Sequence, residues 1–120
     1  MRTEQAPRLA DTLAQASIVL VPGLFHAEVA NALWKYVRAG QLTRELAVQR
    51  ASEAVDLIDL TIPDAELVTE CLAAAIDHDH PVYDLLYAVT ARRHACQVLT
   101  LDRRLQALLD AMGVPVARHA

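Results

Sequence analysis

Aromatic side chains make up only 4% of this 120-residue chain, glycine occurs three times and cysteine twice. Two cysteines, Cys71 and Cys96, without CxxC spacing exclude a disulfide framework, and both read as buried thiols of a reducing cytosol. No apolar stretch approaches the length that spans a bilayer, and the opening "MRTEQAPRLADTLAQ" has no signal-peptide core, so a cytoplasmic protein is expected. An excess of positive charge is lacking too: 11 Lys and Arg against 15 Asp and Glu give a formal charge of -4. The charge argues against bulk attraction to nucleic acid or a membrane without excluding either, and a polyanion would have to be held by a local patch or through a metal. What is abundant is aliphatic: 54% of residues are hydrophobic, the composition of a compact helix-rich domain. Length fits one domain over residues 1–120, and no repeat or linker divides it.

Periodicity places the elements. "PRLADTLAQA" has Leu9 and Leu13 at helical spacing, and "SIVLVP" is a short β-branched run stopped by Pro22. From Leu24, apolar residues at 25, 29, 33, 36 and 37 predict a helix that Gly40 ends, and Thr43 is placed to cap the next, "TRELAVQRASEAV". "DLIDLTIP" predicts a second strand ended by Pro63. Asp64 then starts a helix expected to carry Leu67, Leu72 and Ala75 inward, and "VYDLLYAVTARRH" reads as another. "ACQVLTLD" predicts a strand of about five residues closed by Asp102, followed by the helix "RRLQALLDAMG" and a terminal strand candidate, "VPVAR". Strands alternating with helices through short connections predict a three-layer α/β/α sandwich around a parallel sheet.

Three acids stand at comparable places in this scheme: Glu28 in the helix after the first strand, Asp84 in the first turn of a helix, and Asp102 just past a strand. Loops at the carboxyl ends of parallel strands converge on one edge, so these acids can meet. Converging carboxylates repel unless a hard divalent cation such as Mg²⁺ or Mn²⁺ neutralises them, which makes a phosphodiester the natural substrate. Each acid also has a local explanation. Asp102 suits a helix N-cap worth about 1 kcal/mol, Asp84 suits the positive end of a helix dipole, and Glu28 forms a wet i, i+3, i+7 stripe with Asn31 and Lys35. Periodicity does not choose between the two readings.

The segments "VPGLFHAEVANALWKYVRAGQL" and "PVYDLLYAVTARRHACQVLTLDRRL", with their separation, closely resemble the PIN-domain family, in particular the VapC-like ribonuclease toxins of toxin–antitoxin pairs. The resemblance covers nearly the whole chain. It implies a metal-dependent endoribonuclease that cleaves RNA, uses Mg²⁺ or Mn²⁺, and pairs with a VapB-like antitoxin and with a second copy of itself. Residue by residue, Glu28, Asp84 and Asp102 match the family's second, third and fourth acidic positions, as catalytic residues and metal ligands; Asn31 and Thr100 match positions that support them through hydrogen bonds. The family's opening strand, which ends in an Asp, has no counterpart here, so the resemblance implies a PIN-like sheet with its N-terminal central strand missing. The alternative it leaves is a PIN remnant without catalysis that binds an antitoxin or its own copy.

The remaining candidates are weaker. Asp77, His78, Asp79 and His80 have metal-ligand side chains, but consecutive residues seldom converge on one ion, and the stretch reads as a polar loop. Arg92, Arg93, Arg103 and Arg104 flank the last two acidic motifs and are candidates for contact with RNA phosphates, although arginine in a helix's last turn is favoured by the dipole as well. Trp34 and Tyr36 read as core or interface residues. The apolar surfaces of helices 24 to 39 and 43 to 56 suit a partner helix, where by resemblance an antitoxin docks.

Overall fold

The computed structural model describes residues 18–100 and 102–117. Two short strands, β1 (Leu20–Pro22) and β2 (Leu60–Ile62), pair in parallel, with Leu20 opposite Leu60 and Pro22 opposite Ile62. The ladder continues one step, because the Gly23 N–H donates to the Ile62 carbonyl at 2.9 Å. Each strand stops at a proline, Pro22 or Pro63, which has no N–H to carry the ladder on.

Five helices follow the sequence pattern: α1 (Leu24–Arg38), α2 (Arg44–Asp56), α3 (Asp64–His78), α4 (Val82–His94) and α5 (Arg103–Met112). The expected inner face of α1, residues 25, 29, 33, 36 and 37, is only half-buried, and no residue of that helix is fully enclosed. Gly40 takes the left-handed φ of 76° that turns the chain away, and the Thr43 hydroxyl accepts the Leu46 N–H at 3.1 Å to start α2.

The core sits between α3, α4 and α5. Leu67 and Cys71 of α3, Leu85, Ala88 and Val89 of α4 and Leu109 of α5 are wholly enclosed, and Ile62, Val98 and Val114 join them from the strand side. Leu72, expected inward, instead points out at 53% exposed. Positions 67, 71, 74 and 75 define the buried side of α3, and a residue one step past 71 is turned about 100° away from it. Cys71 is buried as expected, whereas Cys96 is only half-buried at the core margin, with its thiol donating to the His94 carbonyl.

The expected strands at 95–102 and 114–118 reduce to one bridge. Val98 and Val116 pair in parallel, with the Val98 N–H on the Pro115 carbonyl and the Ala117 N–H on the Val98 carbonyl. A β-branched run is not sufficient for a strand; its neighbours need partners on a ladder, and among the described residues of this run one finds a partner. The fold class expected from the sequence, α/β with parallel pairing, holds. Among the described residues β1 pairs with β2 alone, and no strand joins that pair to the Val98 bridge. The helix expected over 7–16, Asp102's neighbour Leu101 and the last three residues lie outside the described residues. No described helix is long and apolar enough to cross a membrane.

Candidate active site

Parallel pairing brings the carboxyl ends of β1 and β2 to one edge, and two helices leave from there. The N-terminus of α1 starts at Gly23, which has no side chain to cap it. Asp64, the first residue of α3, supplies the cap from across the edge: its Oδ1 accepts the Leu24 N–H at 3.2 Å. A carboxylate at this place satisfies one of the orphan donors of the first turn and complements the helix dipole. His26, one turn on, touches the Thr61 hydroxyl of β2 through Nε2 at 2.9 Å, which fixes the angle at which α1 departs.

One turn into α1 stands Glu28, and α4, which lies against β1, presents Tyr87 to it. The Tyr87 hydroxyl donates to Glu28 Oε1, joining residues 59 apart in sequence. Burial pushes the Tyr87 phenol far above its ordinary value, and the hydrogen bond to Glu28 together with the negative charges of Glu28, Asp64 and Asp84 pushes it the same way. Below pH 10, the ordinary tyrosine value, the phenol therefore keeps its proton and acts as a donor. Asp84, three residues before Tyr87 on the same face of α4, is half-buried and has His80 beside it: His80 Nε2 lies 3.5 Å from Asp84 Oδ2.

Asp102 does what its local reading predicts. Its Oδ1 accepts the N–H groups of Arg104 and Leu105 at 2.8 and 3.1 Å and caps α5, and Thr100 Oγ1 accepts the Asp102 N–H at 3.0 Å. Thr100 thus holds the backbone of Asp102 and not its carboxylate, whose Oδ2 has no bond among the described residues. Asn31 is exposed on α1, without a hydrogen bond to any of the acids.

Structure divides the four arginines. Arg92 and Arg93 both reach Glu70 of α3 at 3.4 Å, so their charge is partly answered within the protein. Arg104 lines an open cleft of about 280 Å³ with His78 and His80, which brings the start of α5 beside the Asp84 side of the site; Arg103 is exposed. Trp34 is exposed at 53% and lies under the Arg38 guanidinium, and Tyr36 is half-buried.

Among the described residues no three His, Cys, Asp or Glu side chains stand close enough together to form a metal cage, so Glu28, Asp84 and Asp102 are not gathered in one group. Donor chemistry fits a divalent cation in one respect. Oxygens of the carboxylate type face Tyr87 and His80, and the buried His80 Nε2 has no hydrogen-bond partner. From sequence, Tyr87 and Asp64 have no role at the site, and His80 reads as part of a polar loop. The signal for Tyr87 and His80 is their spacing of three and four residues from Asp84; Asp64 has none, because its partner is the backbone of a distant helix.

Residues 2–110 match the PIN domain family model. The chain belongs to the PIN-domain family. Among PIN-related proteins, it is 34% identical over 116 residues to a protein of Pyrobaculum aerophilum named Ribonuclease VapC3, covering 95% of this chain and 86% of that one. The fold agrees with the crystal structure of PAE2754 from the same organism at a TM-score of 0.64 and 23% identity, over 78% of this chain and 72% of that one.

Proposed function

We propose that this PIN-domain protein is an endoribonuclease, the toxin of a VapBC-type toxin–antitoxin pair, and that residues 1–120 act as one PIN-like domain. The observation that carries the reading is the 34% identity across 95% of the chain to a protein named as a VapC ribonuclease. Supporting it is the bond from Tyr87, on the helix that carries Asp84, to Glu28 near the carboxyl ends of the parallel strands.

In this reading Glu28, Asp84 and Asp102 hold Mg²⁺ or Mn²⁺. When bound, such an ion supplies positive charge against the phosphodiester and lowers the pKa of an attacking water. The rest falls to the chain's own groups. Tyr87 holds Glu28 in one orientation, with a donor that does not ionise in the working pH range. Asp102 keeps α5 capped through Oδ1, and its Oδ2 makes no bond among the described residues. Arg104, Arg103 and the part-neutralised Arg92 and Arg93 meet backbone phosphates and orient the RNA. The protein works in the cytoplasm, a VapB-like antitoxin covers the exposed Trp34, Val48 and Val55 of α1 and α2, and the active form is a homodimer.

Incubation of single-stranded RNA with the protein and Mn²⁺ tests the activity. Cleavage that EDTA stops and that an Asp84→Asn variant lacks is the expected result; equal cleavage by both proteins removes the assignment. One observation favours a second reading, a non-catalytic PIN remnant that binds an antitoxin or its own copy: no three acids gather among the described residues. Metal-dependent cleavage by the unaltered chain would eliminate that alternative.

A further inference from the structure

Helix α3 gives one side to the core and leaves the other to solvent, and that outer side is built from two neighbouring rows. Residues four apart on a helix stand one above the other and form a ridge inclined to its axis. One row holds Val68, Leu72 and Ile76, exposed at 47%, 53% and 71%. The next holds Ala65, Thr69 and Ala73, all exposed and all small. A tall row thus lies beside a low one, and neither carries a charge between Asp64, which starts the first, and Asp77, which ends the second. Single exposed aliphatic side chains need no explanation, but a continuous apolar ridge closed off by acids has the form of a contact surface.

The groove decides what the contact is with. A ridge beside a groove is complementary to itself: a two-fold axis running along the rows lays each ridge in the other copy's groove. Rows of this spacing are inclined by about 26° to the helix axis, so that rotation crosses the two helices at about 50°, the commonest packing angle in globular proteins. An unrelated partner would need a matching groove of its own, whereas a second copy supplies it at once. We propose that the outer face of α3 is the contact between two copies of this chain, with Val68, Leu72 and Ile76 of each in the groove of Ala65, Thr69 and Ala73 of the other. At the Ile76 end an open cleft of about 510 Å³ borders Ile76 and Pro81, and Tyr83, 66% exposed, follows, so apolar surface continues onto the start of α4. A strip about 22 Å long and about 10 Å wide still falls short of a large obligate interface, so the copies separate on dilution.

This face deepens the homodimer proposed above, rests on that reading and gives it a location. Sedimentation velocity of the full chain across the micromolar range should show monomer and dimer in reversible exchange. Leu72→Glu and Ile76→Glu place a charge on the ridge at positions already in water, so circular dichroism should be unchanged while association weakens roughly 10-fold or more. Val48→Glu, on the exposed side of α2, should leave association as it is. Thr69→Leu is the sharper variant, because it fills the groove while adding apolar surface. It should weaken pairing too, whereas copies held only by nonspecific apolar contact would pair more tightly. Association that Leu72→Glu leaves intact, or that Thr69→Leu strengthens, overturns the α3 face while the homodimer stands on another surface. A chain that stays monomeric throughout the range overturns both and leaves the two rows to a partner of another kind.

Discussion

The Tyr87 hydroxyl donates to the Glu28 carboxylate and so ties α4 to α1 across 59 residues of sequence. It fixes one acid of the candidate site from the helix that carries another, Asp84. Replacing Tyr87 by Phe removes only the oxygen. Because Glu28 is exposed and can rehydrate, the loss in stability should be about 1 kcal/mol, at the low end for a bond to a charged group. RNA cleavage should fall by far more than that suggests, as Glu28 loses its fixed orientation. Urea unfolding and cleavage rates of Tyr87→Phe, measured side by side, check the separation.

The same phenol makes the fold sensitive to alkali. An ordinary tyrosine titrates near 10, and burial first, then the Glu28 bond and the surrounding acids, raise Tyr87 well above that. Above pH 10 the unfolded chain therefore releases a proton that the folded chain keeps, and stability falls as pH rises. Below that value the group makes no pH-dependent contribution. Unfolding midpoints at pH 9 and 11 should drop more for the unaltered protein than for Tyr87→Phe.

Asp102 can be tested for two roles at once. Asn caps helices as well as Asp does, so Asp102→Asn should leave stability within a few tenths of a kcal/mol, whereas Asp102→Ala should cost about 1 kcal/mol. If the carboxylate serves the metal, both variants should lose cleavage by orders of magnitude. Full activity in the Asn variant would confine Asp102 to capping.

Leu67 is wholly enclosed where α3 meets the rest of the core, and Leu67→Ala should destabilise by about 2–5 kcal/mol. Leu72→Ala, five residues along the same helix but facing out, should change stability by less than about 1 kcal/mol. Chemical denaturation of the pair checks which side of α3 is the core.

Local chemistry made much of this legible. Gly40 and Thr43 mark a helix end and the next start because a left-handed turn and a hydroxyl cap are properties of single residues. Pro22 and Pro63 bound the strands for the same reason. What the sequence could not fix depends on distant partners. Among the described residues Val98 forms one bridge, with Val116, instead of a strand, and Leu72 faces out because the buried side of α3 is set by where α4 lies. At the site, Glu28, Asp84 and Asp102 were recognisable from their motifs, yet what each touches was not. Tyr87 and Glu28 meet only through the packing of α4 on β1.

The turn after α4 rests on Ala95, an alanine held at a φ of 53° that glycine would adopt without penalty. Local preference opposes that turn, and among the described residues beyond it the backbone is held by the Val98–Val116 bridge and by bonds at Thr100 to Asp102 and Gln106, outside any regular ladder. Amide exchange should therefore be uneven along the chain: protons of α3 and of the inner face of α4 should outlast those of 96–100. In the proposed ribonuclease, Asp102 would then lie beyond a stretch, 96–100, that opens more often than the helices carrying Glu28, Tyr87 and Asp84, so that RNA binding would have an entropic task left to complete on one flank of the site only.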